Sequence, residues 1–134
     1  MYRIARDLAF SYGHRLLRHD GKCVHLHGHN ARVVLVLEAA SLDAGGMVAD
    51  FQVVRTSVGD WIDASLDHRM LLHRDDPAVT ALRALGEPVV ALDFHPTAEN
   101  LARHVFEHAR DAGLPVVEVE LWETPTCRAV YRPR

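Results

Sequence analysis

Lysine is almost missing from this chain. Lys22 is the single lysine among fifteen basic residues, the rest being arginine, a bias that reads as coding preference before it reads as function. Cysteine is scarce too. Cys23 and Cys127 are too few to make a disulfide framework in 134 residues, which fits a reduced compartment. No apolar run exceeds about five residues (Val33 to Leu37 is one such run), far short of the ~20 a membrane helix needs. The opening Met1-Tyr2-Arg3-Ile4-Ala5-Arg6-Asp7 has no apolar signal core, so a cytoplasmic location is expected. There is no basic excess either. A net charge of −3 argues against a protein built to grip nucleic acid or an acidic membrane surface. Internal repeats and Gly/Ser linkers are absent, so residues 1–134 are expected to form one domain.

What is present is a core-forming composition, 49% hydrophobic and 25% charged, which excludes disorder. Histidine is abundant: ten residues, spread through the chain rather than clustered as a tag.

Residues 2–12 alternate loosely through Ile4, Leu8, Phe10 and Tyr12 and predict a strand, and the β-branched run 31–39 predicts a second. Asp50 is placed as an N-cap. Phe51, Val54, Val58, Trp61, Ile62 and Leu66 follow at helical spacing, predicting an amphipathic helix over 51–66. A second helix is expected from Thr97, with Glu99 in its first turn, Leu101, Val105, Phe106 and Ala109 inside, and Gly113 and Pro115 as its stop. Alternation over 115–122 predicts a half-exposed strand, and 127–132 a final short one. Residues 74–95 read as a long connection with a short helix near 77–85, and connections that long are often functional. The order strand, strand, helix, helix, strand, strand implies an α+β domain with antiparallel pairs and helices on one face.

The strongest chemical signal is Cys23-Val24-His25-Leu26-His27-Gly28-His29. Residues two apart on a strand share a face, so His27 and His29 can present two imidazoles to one metal ion. His14, at the end of the first strand, would join them if the two strands form a hairpin. Three histidines leave a fourth position open, the pattern of catalytic zinc. Cys23 is then a fourth ligand closing a structural site, a reactive thiol near a cationic centre, or an inert buried cysteine; spacing alone does not choose. Asp67-His68 pairs a carboxylate with an imidazole, an arrangement used in acid/base chemistry, although sequence neighbours rarely bond in the needed geometry. Glu123, beside Trp122 at a strand end, can accept two hydrogen bonds from a planar heterocycle, or be a solvated glutamate. Thr97 and Glu99 are explained as helix-start residues. The other histidines (His19, His25, His73, His95, His104 and His108) read as surface or pocket-rim residues.

Six blocks stand in a specific order: Phe10-Ser11-Tyr12-Gly13-His14-Arg15-Leu16; Cys23-x-x-x-His27-Gly28-His29-Asn30; Gly46-Met47-Val48-Ala49-Asp50-Phe51; Leu66-Asp67-His68; Pro96-Thr97-Ala98-Glu99-Asn100-Leu101-Ala102; and Glu123-Thr124 ahead of Tyr131. Together, and over nearly the whole chain, they resemble the 6-pyruvoyl-tetrahydropterin synthase / 6-carboxy-tetrahydropterin synthase family. The resemblance implies the tunnelling fold, a four-stranded antiparallel sheet with two helices on one face. It also implies homo-oligomers, trimers or pairs of trimers, with active sites at subunit interfaces. It assigns His14, His27 and His29 to Zn2+, Cys23 to proton abstraction, Asp67 and His68 to an acid/base relay, and Glu123, Thr97 and Glu99 to the pterin pocket. The implied substrate is 7,8-dihydroneopterin triphosphate, for whose phosphates Arg15 and Lys22, near the motif, are candidate contacts or else solvated surface charges.

Three residues between Cys23 and His27 resemble the bacterial 6-carboxy-tetrahydropterin branch of the queuosine pathway, in which the side chain is cleaved to release acetaldehyde. The 6-pyruvoyl synthases, which eliminate triphosphate and keep the side chain, are the alternative. Ala31, Leu72, Ala98 and Pro125 depart from common family residues and bear on side-chain preference rather than on the metal ligands. Two other readings of the same residues are a non-catalytic zinc or pterin-binding protein and a three-histidine zinc hydrolase, in which Glu123 would be dispensable.

Overall fold

The computed structural model describes residues 1–134. Strands β1 (Tyr2–His14) and β2 (His27–Ala39) form an antiparallel pair whose register runs unbroken from Tyr2 opposite Ala39 to His14 opposite His27. Their alternation decides which face is dry. Leu8, Phe10, Tyr12 and His14 on β1 are buried, as are Ala31, Val33, Leu35 and Leu37 on β2. Both sets point the same way and face the helices.

Helix α1 covers Phe51–Val54, a π-helical turn Arg55–Gly59 and Asp60–Ser65. The Asp50 carboxylate caps its start by accepting the Gln52 N–H at 2.7 Å. The wide turn leaves backbone carbonyls without their usual partners. His108 bonds the Ser57 carbonyl at 3.0 Å and lies flat on Trp61, with ring centroids 4.0 Å apart. His104 packs on Trp61 and Phe94, and burial lowers its pKa. These two histidines, expected at the surface or at a pocket rim, instead help join α1 to the last helix.

A short helix α2 (Ala78–Ala84) follows, close to the expected 77–85. Helix α3 (Ala98–Asp111) begins where Thr97 accepts the Asn100 N–H at 3.2 Å, and it buries Leu101, Ala102, Val105, Phe106 and Ala109. Fully burying a leucine is worth about 1.5–3 kcal/mol, so this stripe and the facing strands hold the layers together. The chain turns out at Gly113, whose φ of 86° favours glycine.

Strands β5 (Val116–Thr124) and β6 (Cys127–Tyr131) complete an antiparallel unit in the order β1-β2-β5-β6. That unit is the four-stranded sheet the sequence predicts. The sheet is nevertheless larger and mixed. Strands β3 (Arg69–His73) and β4 (Val89–Leu92) add in parallel beside β1, giving six strands in the order β4-β3-β1-β2-β5-β6. The physical reason is the 74–88 segment. Parallel neighbours need a crossover, and α2 with its flanking loops supplies it. The chain is therefore α+β with a six-stranded mixed sheet and three helices, not four strands and two helices. No helix is long and apolar enough to cross a membrane.

Candidate metal centre and adjoining cleft

The β1–β2 register brings three imidazoles together. His14 stands opposite His27, and Tyr12 opposite His29, all on the helix-facing side. One nitrogen from each histidine falls within 4.8 Å of the others. Their hydrogen bonds fix which nitrogen is free. His14 Nδ1 is 2.7 Å from the Pro96 carbonyl, and His27 Nδ1 is 2.7 Å from the His25 carbonyl. A carbonyl only accepts, so each Nδ1 carries a proton, which leaves Nε2 as the coordinating atom of each ring. Those two Nε2 atoms lie 2.9 Å apart. Facing lone pairs at that distance repel unless a positive centre lies among them. Burial, the largest influence, lowers the His14 pKa and keeps that ring neutral. Three imidazoles on a rigid sheet, two of them backed by carbonyls, suit a borderline-soft divalent ion such as zinc.

Glu123, at the end of β5, stands beside the cluster. One carboxylate oxygen is 4.0 Å from His14 Nε2 and the other 3.9 Å from His29 Nε2. The Tyr12 phenol donates to the first of these oxygens at 3.3 Å. Tyr12 is 3% exposed, and burial, followed by the Glu123 charge, drives its pKa far upward, so it remains a donor. Spacing singled out neither Tyr12 nor its contact with Glu123; the alternation of β1 marks it only as a core residue.

Thr97, Glu99 and Glu123 line one cleft of 320 Å³, which Cys127 and Arg128 also border. The three expected pocket residues are thus brought together next to the histidines.

Cys23 lies on a single 3-10 turn, Lys22–Val24, in the β1–β2 connection, where its carbonyl accepts the Leu16 N–H at 2.7 Å. It is partly buried and outside the group of mutually close ligand atoms, so a closed site of one cysteine and three histidines is not what the chain builds. Lys22 beside it is exposed. Arg15 is engaged: its Nε donates to Asp76 Oδ2 at 2.7 Å and a second guanidinium nitrogen meets Oδ1 of the same carboxylate. Asp76 is buried, and the Arg15 hydrogen bonds hold its carboxyl below the usual range. A buried aspartate in the 74–95 segment carried no sequence signal.

Asp67 and His68 do bond to one another. Asp67 Oδ2 meets His68 Nδ1 at 2.8 Å, and Oδ1 accepts the Ser11 N–H at 2.9 Å. Adjacent residues reach this geometry because His68 adopts a left-handed backbone, φ 55°. The Ser11 bond is the main reason the Asp67 pKa is lowered. The His68 side chain is 80% exposed. It shares with His27, Gly28 and His29 the wall of a second cavity, of 720 Å³, rather than the cleft of Glu123. Cys23 lines neither.

Comparison with known proteins bears on this arrangement. The family model described as 6-pyruvoyl tetrahydropterin synthase matches residues 3–134. The chain is 32% identical over 134 residues to 6-carboxy-5,6,7,8-tetrahydropterin synthase of Rickettsia conorii, covering 95% of this chain and 97% of that one. Among solved structures it is similar to an uncharacterized protein from Wolinella succinogenes, with TM-score 0.84 and 29% identity over 99% of this chain and 98% of that one. It shares its fold with the 6-pyruvoyl tetrahydropterin synthase of Caenorhabditis elegans, with TM-score 0.74 and 24% identity over 99% and 96% of the two chains.

Proposed function

The chain belongs to the 6-pyruvoyl tetrahydropterin synthase family, and from that premise we propose that it is a zinc-dependent lyase. In this reading it converts 7,8-dihydroneopterin triphosphate and water to 6-carboxy-5,6,7,8-tetrahydropterin, acetaldehyde and triphosphate. The observation that carries the proposal is the juxtaposition of three histidines, two with their tautomer fixed by backbone carbonyls, and the Glu123 carboxylate. A bare zinc-binding protein has no need of that carboxylate. A planar pterin has: its amino and ring N–H groups are two parallel donors, and a carboxylate accepts both.

Zinc held by His14, His27 and His29 would supply Lewis acidity toward the oxygens of the substrate side chain. The remaining work falls to side chains. Glu123 anchors the ring, with Thr97 and Glu99 along the same cleft. Cys23 takes a proton from a side-chain carbon as its thiolate. His68, oriented by Asp67, carries a second proton. Triphosphate leaves by elimination and tautomerisation reduces the ring. Water then adds to the side-chain carbonyl next to the ring, and the bond from that carbon to the next carbonyl carbon breaks. This leaves the carboxylate on the ring and releases acetaldehyde, so no nicotinamide or flavin enters. The product suits the deazapurine (queuosine) branch.

His68 and Glu123 line different cavities in one chain, which favours a site completed between subunits. The sheet has edges available for such assembly. Strand β1 pairs with β3 only over Tyr12–His14, leaving its earlier residues without a partner on that side, and β6 is open at the opposite end of the sheet. We propose a homo-oligomer, a trimer or a pair of trimers.

The test is anaerobic incubation of the zinc-loaded protein with 7,8-dihydroneopterin triphosphate, with products read by mass spectrometry. 6-Carboxy-tetrahydropterin with acetaldehyde supports the proposal. A 6-pyruvoyl product would keep the site and move the chain to the other branch. Absence of turnover with zinc bound and the fold intact would refute the enzymatic reading.

A further inference from the structure

The Glu123 carboxylate is nearly a metal ligand. Zinc–nitrogen and zinc–oxygen bonds of about 2.0–2.1 Å in a tetrahedron put neighbouring donor atoms about 3.3 Å apart. The Glu123 oxygens stand 4.0 and 3.9 Å from the free nitrogens of His14 and His29. A shift of about 0.6 Å would bring them to ligand spacing, and a glutamate side chain has the torsional freedom to make it. A carboxylate is a good zinc ligand, so something must hold it back if the fourth position is to stay open. Tyr12 has that geometry. The Tyr12 phenol, a donor at neutral pH, binds the oxygen nearer His14. Its ring is fixed by stacking on Phe10 at 5.2 Å, by an edge contact with His14 at 5.1 Å and by a tilted contact with His29 at 5.7 Å, so the hydroxyl cannot follow the carboxylate toward the histidines.

We propose that Tyr12 is a positioning residue that tethers Glu123 away from the three-histidine centre, keeping the carboxylate for the ring of the ligand and the fourth coordination position free. The proposal rests on the zinc and pterin reading above and names the residue that keeps those two roles apart. It also explains a buried phenol beside a metal cluster without making it a ligand.

The variant Tyr12→Phe removes the hydroxyl and keeps the packing ring. Zinc affinity by chelator competition is expected to tighten roughly tenfold, the scale on which groups around a metal site act. The visible spectrum of the cobalt-substituted protein should shift as a carboxylate enters the coordination sphere. Affinity for pterin alone, read by fluorescence, should fall at the same time. Adding Glu123→Gln should cancel the gain in zinc affinity. A structural role for Tyr12 would loosen zinc instead, so weaker or unchanged zinc binding with an unchanged cobalt spectrum overturns the proposal. If Tyr12→Phe does not fold, Glu123→Gln decides by itself. It should leave zinc affinity of the otherwise unchanged protein as it was, and a loss would make Glu123 a resident ligand and refute the tether. Glu123→Gln with undiminished pterin affinity would refute the ring-anchor reading, while the zinc and cobalt results still decide the tether.

Discussion

Replacing Asp76 by Ala tests whether the residue just after His14 is held from β1's far side. The Asp76 side chain is 1% exposed, and it accepts two contacts from Arg15 and the Ala78 N–H, the last at 2.8 Å. Charge-assisted bonds contribute about 1.5–3 kcal/mol each, and the hydrogen bond from the Ala78 N–H about 1 kcal/mol. Arg15 is 24% exposed, so once released its guanidinium can rehydrate, which offsets part of the loss. The net cost is expected at about 3 kcal/mol, toward the lower end of values for breaking a buried pair. Urea unfolding of metal-free protein, at one protein concentration and pH 7, measures it. The Asp76 pKa is lowered, chiefly by Arg15, so its contribution is fully present above the unfolded value of about 3.9 and is lost as pH falls through the lower folded value. The gap between the two proteins should therefore stay constant from pH 7 to 5 and close only below about pH 4. A gap under about 1 kcal/mol at pH 7, or one that closes between pH 7 and 5, would refute the assignment.

Other outcomes follow from the same geometry. Cys23→Ala should abolish turnover while zinc stoichiometry and fold are unchanged, since its sulfur lies outside the ligand group; loss of zinc would make Cys23 a ligand. His14 and His104 are both held neutral mainly by burial, with folded pKa values below 6.5. The unfolded chain then binds more protons below that pH, so the thermal midpoint of metal-free protein should fall as pH drops from 7 toward 5. A midpoint that is flat or rises over that range would contradict the assignment.

The legible parts of the fold were those with one dry face. β1, β2 and β5 alternate, the helix spacings of 51–66 and 97–109 carry caps, and Asp50 and Thr97 both cap as expected. Strands β3 and β4 were hidden because Leu71 and Leu72 are both buried, one on each side of the sheet. A short strand covered on both faces shows no alternation and reads as a loop with apolar residues. The triad was legible because a two-residue spacing on a strand has a single geometric meaning. Tyr12 and Asp76 were not, since their contacts join positions far apart in the chain.

The metal centre is tested most directly by elemental analysis of the purified, zinc-equilibrated protein beside His27→Ala and His29→Ala, with folding checked by circular dichroism. One zinc per chain, lost from both variants without loss of fold, is the predicted result. Zinc retained in the variants, or absent from the folded parent protein, would contradict the account.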